Sequence, residues 1–255
     1  MSVYLEQFSE QEIPYGKLQE YGLTHNMIED LPQTALKQLL AGKPTPVLPI
    51  FTENQDGQKE RSLARITLKR MEDGTVDIWL APRWDFRDLK EYTESQQRNL
   101  QDGKVLIVDT PDKGLCFSQY DDVTNQVMSV PIGLIRQNLG ILEREYNLPT
   151  KVAEDAAKCK IAEFDNDGTI ATIGIDLEEP SGIRFAKGNA IVWEQEAHAD
   201  RLPKYNFGIY GCWIADDNNC LSYVTEADYT EEIYAEQRRA GQMRAAGEQM
   251  KQMGI

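Results

Sequence analysis

A Gly-Lys pair that ends a predicted helix and leads into a strand occurs twice, and this repeat most limits how the chain can fold. The first copy lies in residues 39–43 and reads Leu-Leu-Ala-Gly-Lys; the second lies in residues 99–104 and reads Asn-Leu-Gln-Asp-Gly-Lys. In each copy the glycine supplies the left-handed residue that terminates a helix, and the lysine meets the negative end of the helix dipole. The spacing of about 60 residues indicates one structural unit used twice.

Each Gly-Lys pair is followed by segments in which apolar and polar residues alternate. Short turn sequences such as 54–57 and 72–74 separate these segments, which is typical of antiparallel hairpins. We therefore predict two units, 34–80 and 93–131, each a helix followed by a three-stranded meander, with Gly42 and Gly103 at equivalent positive-φ positions. The predicted strands are 47–51, 63–68 and 76–80 in the first unit, and 105–108, 115–119 and 127–130 in the second.

The sequence on either side of these units completes an α+β prediction. Short N-terminal helices are indicated by Pro14, by Thr24 as an N-cap and by Pro32. A boundary is predicted near Pro149, with Thr150 as the next N-cap. Beyond it we expect a mainly antiparallel β domain with strands in 161–175, 183–193, 205–215 and 221–224, then a helix from 226 to 253. The predicted domains are 1–149, 150–225 and a C-terminal helix in 226–255.

The charge and the cysteine spacing exclude several functional classes. The chain has 27 Lys and Arg against 42 Asp and Glu, a net charge of −15. Direct nucleic-acid binding is disfavoured, because its affinity comes largely from cations on phosphates. No apolar stretch has the length of a membrane span or signal peptide, so we expect a cytoplasmic protein. Four cysteines without metal-ligand spacing predict reduced thiols, no metal site and no cofactor.

One motif invites a catalytic interpretation. Residues 164–170 read Phe-Asp-Asn-Asp-Gly-Thr-Ile and resemble the nucleophile loop of haloacid dehalogenase-type phosphatases. That resemblance implies Asp165 as the nucleophile and Asp167 as the acid and base. However, Asp73-Gly74 repeats the same strand-turn-strand pattern elsewhere, and Asp-Gly between alternating segments is typical of a hairpin. We therefore predict an exposed hairpin here.

Nucleophilic catalysis by a thiol needs a nearby base, and the chain has only two histidines. His25 and His198 both lie in polar segments and are predicted to face solvent. Cys116 and Cys212 lie in apolar strand-like segments, which predicts buried and inert thiols.

Two sets of apolar side chains are candidates for partner binding. Trp84 and Phe86 alternate with charged residues in a segment that lacks a helical or strand period. They are expected either to pin a loop onto the core or to form an interaction anchor. Met243 and Met250 lie on one stripe of the predicted C-terminal helix, which either packs on its own domain or docks to a partner.

Residues 93–104 and 119–127, together with 13–23 and 40–43, resemble uncharacterised domains on Bacteroidetes conjugative transposons and related mobile elements. The resemblance covers about residues 10–145 and implies a mobile-element context without any catalytic assignment. We therefore expect a non-enzymatic accessory protein that binds another protein. Two alternatives stay open: a phosphatase-like hydrolase that uses Asp165 and Asp167, and an acidic nucleic-acid mimic that binds a basic DNA-handling protein.

Overall fold

A computed structural model of the protein describes residues 8–53, 56–87, 89–197 and 202–252. These residues form twelve strands in four three-stranded antiparallel sheets, and each sheet is a meander whose strands pair in chain order. The helices are α1 (Tyr15–Glu20), α2 (His25–Glu29), α3 (Gln33–Leu40), α4 (Glu94–Gln101), α5 (Ile132–Glu145), α6 (Thr150–Ala156), α7 (Ala190–Ala197) and α8 (Glu231–Gln252). The strands are β1 (Leu48–Glu53), β2 (Lys59–Arg70), β3 (Val76–Pro82), β4 (Leu106–Thr110), β5 (Gly114–Asp121), β6 (Gln126–Pro131), β7 (Ala162–Asn166), β8 (Thr169–Ile175), β9 (Ile183–Lys187), β10 (Tyr205–Phe207), β11 (Gly211–Ala215) and β12 (Leu221–Thr225).

The predicted α+β class is confirmed, and the order of a helix followed by a meander occurs four times. We define unit 1 as α3 with β1–β3, unit 2 as α4 with β4–β6, unit 3 as α6 with β7–β9, and unit 4 as α7 with β10–β12. The first two units match the element order expected for 34–80 and 93–131. For the last two units the sequence predicted most of the strands but not the repeat of this order. None of the helices in the described ranges is both long enough and apolar enough to cross a membrane.

Three of the units share the same helix ending. Gly42 and Gly103 both have positive φ, at 72° and 75°, as predicted, and Cys159 takes the same position in unit 3 with a φ of 59°. In each case the next residue is a lysine whose backbone N–H donates to a carbonyl five residues earlier. The three bonds are Lys43 to Gln38 at 2.9 Å, Lys104 to Asn99 at 3.0 Å and Lys160 to Asp155 at 3.1 Å. This 6→1 bond is the one that a Schellman motif forms.

Two expectations for the second half are wrong. The N-cap of α6 is Pro149, and Thr150 is already the first helical residue. The segment predicted as strand over 183–193 ends as strand at Lys187, and α7 begins at Ala190. Gly188 has a φ of 111°, which breaks the strand, and the Asn189 side-chain oxygen then accepts the N–H of Val192 at 3.1 Å. An Asn cap of this kind starts a helix where the sequence alternation favoured a strand.

The hydrophobic cores join units that are distant in the chain. The first core combines buried residues of α1–α3 and β1–β2 with Trp213, Ala215 and Leu221 from unit 4. The second core combines Phe117 of unit 2 and the buried face of α5 with α6 and the sheet of unit 3. Both cores therefore take residues from either side of residue 149, where the sequence places a domain boundary.

A buried arginine connects the first three units. Arg65 of β2 is 8% exposed, and its Nη1 lies 3.1 Å from Asp121 Oδ2 in unit 2 and 2.8 Å from Glu178 Oε1 in unit 3. Its Nε donates to the Thr45 carbonyl at 2.8 Å. Burial alone lowers the pKa of Arg65, but the carboxylates of Glu178 and Asp121 outweigh that effect and raise the pKa. The guanidinium therefore stays charged in the interior.

The shared helix ending predicts opposite effects for two substitutions. Gly103→Ala is expected to lower the free energy of unfolding by about 1 kcal/mol, because a Cβ at positive φ is strained although nothing lies within 4 Å of it. Cys159→Gly relieves the same strain but removes a side chain that packs on the second core, so it is expected to raise the free energy of unfolding by less than about 1 kcal/mol. Urea unfolding measures both. Gly133→Ala is the matched control: this residue has an ordinary helical φ in α5, so the substitution should not destabilise the protein. Equal losses of unfolding free energy at Gly103 and Gly133 would show that the positive φ is not the cause.

Removing the Arg65 side chain is expected to cost more stability than either glycine substitution. Arg65→Met leaves Asp121, which is 4% exposed, without its cation, and is expected to reduce stability by about 3 kcal/mol or more. Arg98→Met removes an ion pair with Glu94 whose side chains are 77% and 90% exposed, and should change stability by at most about 0.5 kcal/mol. Both are measured by chemical denaturation. Similar small losses for the two variants would show that the junction is not needed for stability.

Candidate functional site

The segment that carries Trp84 follows β3 and is held against the turn between β5 and β6. The Trp84 N–H donates to the Thr124 carbonyl at 2.9 Å, and Asn125 Nδ2 donates to the Trp84 carbonyl at 2.7 Å. Gln126 Nε2 donates to the Pro82 carbonyl beside it. Both backbone groups of Trp84 are therefore bonded, which fixes the course of this linker.

The two aromatic side chains selected from the sequence lie together. The ring centroids of Trp84 and Phe86 are 5.4 Å apart and the rings are stacked with 30° between their planes. Trp84 is half-buried, whereas Phe86 is 60% exposed. The Trp84 backbone is thus held by hydrogen bonds and Phe86 faces solvent, while the role of the pair as an interaction anchor stays a prediction.

The other two predicted contact residues lie in α8. This helix agrees with the predicted C-terminal helix apart from its start, where a 3₁₀ turn over Glu226–Asp228 precedes it. The side chains of Met243 and Met250 lie outside the part of the chain whose side chains the structure describes.

Asp165 and Asp167 lie in the hairpin that joins β7 to β8, as the hairpin interpretation predicts. Asp167 and Gly168 have φ values of 52° and 80°, and the Gly168 N–H donates to Asp165 Oδ1 at 2.6 Å. Two positive φ values in a two-residue loop are the mark of a type I′ turn. The carboxylate of Asp165 thus stabilises the turn. Within the described ranges, no three His, Cys, Asp or Glu residues form a group suited to a metal ion.

Among the described residues, the remaining candidate nucleophiles are buried and His25 lies beside an acidic side chain. His25 Nδ1 lies 3.5 Å from Glu29 Oε2, while His198 is outside the described residues. Cys116 and Cys212 are both buried, as predicted. Burial raises the pKa of Cys159 and of Cys212 to about 11, so neither thiol is a thiolate at neutral pH.

A groove of about 1170 Å³ opens between the ends of α3, α4 and α6. The lysine after each shared helix ending lines it: Lys43, Lys104 and Lys160. Each of these cations already has an acidic neighbour, with Nζ to carboxylate distances of 2.5 Å to Glu179, 3.6 Å to Asp102 and 3.3 Å to Asp155. Since these charges are compensated locally, the lysines do not make the groove a strong anion site.

One wall of the groove contains a stacked cation and indole. The Arg184 guanidinium lies 3.5 Å from the Trp193 ring centroid, and its Nη2 donates to the Trp193 carbonyl at 2.9 Å. Arg184 Nε and Trp193 Nε1 are buried without a hydrogen-bond partner among the described residues. The sequence missed this pair because Trp193 was assigned to a strand.

The sequence also missed a loop between β10 and β11 that a buried carboxylate holds. Asp30, 2% exposed, follows α2 and accepts the backbone N–H of Ile209 at 2.6 Å and of Tyr210 at 3.0 Å. The Tyr223 hydroxyl donates to the same carboxylate at 2.6 Å. A Cβ at Gly208 would lie 2.1 Å from Asp30 Cγ, so this approach requires glycine. The flanking glycines in Gly-Ile-Tyr-Gly were the available signal.

The hairpin geometry predicts no response to divalent cations. Titrating Mg²⁺ or Ca²⁺ into the wild type and into Asp165→Asn should leave the thermal midpoint of each unchanged, because a carboxylate that holds a turn has no assembled ligand set. A native-state ligand at a hundredfold excess over its Kd would add about 2.7 kcal/mol of stability. A rise in the wild type that Asp165→Asn abolishes would refute this assignment.

Residues 8–90 match a family model described as "Protein of unknown function (DUF4099)". The matched segment holds α1–α3, the sheet of unit 1 and the Trp84–Phe86 pair; the loop at Ile209 lies outside it. Neither a search of curated proteins nor a search of solved structures found a match. The resemblance to an uncharacterised family is thus confirmed for the first third of the chain.

Proposed function

We propose that this protein works by binding another protein and that it is a non-enzymatic accessory protein of a mobile genetic element. The observation that carries this proposal is the stacked Trp84–Phe86 pair, in which the linker backbone is fixed and Phe86 is 60% exposed.

A fixed and exposed aromatic side chain suits protein binding for two reasons. Aromatic residues are enriched among the side chains that contribute most to interface affinity. In addition, a linker whose Trp84 N–H and carbonyl are both bonded loses little conformational freedom when a partner docks on Phe86. Met243 and Met250 remain proposed contact residues on α8.

The cellular context is proposed from the family resemblance and from the cysteines. The resemblance of residues 10–145 to mobile-element domains supports the proposed setting, and the family match includes Trp84 and Phe86. The four cysteines are free thiols, which supports a reducing, cytoplasmic location. Of the alternatives, the phosphatase interpretation gains nothing from an Asp165 that is engaged in a turn, and the nucleic-acid mimic is supported only by the net charge.

The decisive measurement compares Phe86→Ala with Trp79→Ala. Both remove an exposed ring, since Trp79 is 66% exposed on the outer face of β3. We expect Phe86→Ala to lower recovery of the host partner in a quantitative pull-down by roughly thirtyfold at unchanged thermal stability, the loss typical of a hot spot. Trp79→Ala should leave recovery unchanged.

Two further variants complete the test. Trp84→Ala should lower both recovery and stability, because its ring supports Phe86, and Met243→Ala tests the second proposed contact. Normal recovery with Phe86→Ala would refute this choice of anchor. Hydrolysis of phosphomonoesters by the purified protein, abolished by Asp165→Asn, would refute the non-enzymatic proposal itself.

A further inference from the structure

A second exposed apolar surface lies at the opposite end of the chain from the matched family segment. Ile209 is 80% exposed, and Tyr210 and Tyr234 are 42% and 39% exposed. We call these three residues the aromatic tip. An isolated exposed apolar residue needs no explanation, but three that adjoin one another mark a candidate interaction surface.

Contacts with Glu226 place Tyr210 and Tyr234 together, and Ile209 directly precedes Tyr210 in the chain. The Tyr210 carbonyl accepts the N–H of Glu226 at 3.3 Å, and the Tyr234 hydroxyl donates to the Glu226 carbonyl at 3.3 Å. The Tyr234 ring is also 5.4 Å from the Tyr229 ring, which in turn is 6.1 Å from that of Phe207. The tip therefore continues into a row of packed aromatic rings.

The buried carboxylate of Asp30 fixes the loop that carries Ile209 and Tyr210. The buried Asp30 carboxylate accepts the N–H groups of both Ile209 and Tyr210, and the Gly208 N–H donates to the Gly211 carbonyl at 2.9 Å. Charge-assisted bonds of this kind are stronger than neutral ones. An exposed isoleucine on a loop fixed by a buried carboxylate is thus presented to solvent in one conformation, which reduces the entropy lost on binding.

Acidic residues predominate around the tip, and two of them are paired with cations: Glu232 with Lys204 and Glu236 with Arg239. The chain from Tyr205 to Gln237 contains seven acidic residues and neither Lys nor Arg. Three of them, Glu226, Asp228 and Glu231, are exposed and have no ion-pair partner within the described part of the chain. Burial raises the pKa of Tyr229 to about 12, so its hydroxyl stays protonated at physiological pH.

We propose that the aromatic tip binds a basic segment of another protein, in which an apolar side chain packs on Ile209 and Tyr210 while flanking Lys or Arg side chains meet Glu226, Asp228 and Glu231. The tyrosine faces add a favourable site for a cation. This proposal rests on the proposed protein-binding function and assigns the partner its chemistry.

Charge decides between this occupant and the others. A second copy of this chain also carries −15 and would repel the tip, and nucleic acids and anionic membranes carry the same sign. A basic segment with an apolar side chain complements both the exposed Ile209 and Tyr210 and the unpaired carboxylates beside them.

The test uses defined peptides as probes. A fluorescent 18-residue amphipathic peptide of Lys, Leu and Ala is titrated with the full chain, and its anisotropy is measured at low and moderate salt; a matched Glu, Leu and Ala peptide is the charge control. We expect the Lys peptide to bind and the Glu peptide not to bind. Ile209→Ser should weaken binding at least about tenfold without changing the thermal midpoint, since Ile209 makes little contact with the core.

Two controls separate the tip from non-specific charge. Ile170→Ser makes the same substitution at an isoleucine that is 54% exposed on β8, keeps the net charge, and should bind the Lys peptide as the wild type does. Glu226→Gln combined with Glu231→Gln should weaken binding and reduce its salt dependence. Equal binding by wild type and Ile209→Ser, or self-association in sedimentation that Ile209→Ser abolishes, would overturn the proposal while the test of Phe86 stands separately.

Discussion

The guanidinium of Arg65 is the interaction on which the arrangement of the first three units depends. Each unit contributes an acceptor: the Thr45 carbonyl from unit 1, the Asp121 carboxylate from unit 2 and the Glu178 carboxylate from unit 3. A buried charge is tolerated only when its partners are correctly placed, so a shift of any one unit would leave an uncompensated charge in the interior. The neighbouring Lys43–Glu179 ion pair also joins unit 1 to unit 3, closer to the surface.

Asp30 has the same role for unit 4. Its carboxylate accepts from two backbone N–H groups and one tyrosine hydroxyl of the last sheet, although it follows a helix near the start of the chain. Two buried polar groups therefore fix how small sheets fit together, while the apolar clusters supply most of the stabilisation. Units of this size bury too little apolar surface to fold independently, which explains why each core is shared.

The first two units were predictable because their local rules agree. In both units the alternation of apolar residues, the short turn sequences and a helix-ending glycine indicate the same structure. The helix and the strands of unit 3 were expected, but its likeness to the first two units was missed because Cys159 occupies the left-handed position, so the glycine that marks the repeat is absent. Trp193 was wrongly assigned to a strand because the apolar pattern continues past Gly188, although the strand itself ends at Lys187. Neither Arg65 nor Asp30 was predictable, since each acts through contacts more than 50 residues distant.

The shared cores also set the order in which the protein can fold during synthesis. The second core is complete once unit 3 has left the ribosome, but the first lacks its fully buried Trp213 until unit 4 follows. At ordinary translation rates the interval between β2 and Trp213 lasts on the order of ten seconds. For that time the apolar face of Leu48, Ile66 and Leu68 has no cover from the last sheet. The nascent chain therefore carries, for longer than its other apolar strands, a surface that only α1–α3 can cover.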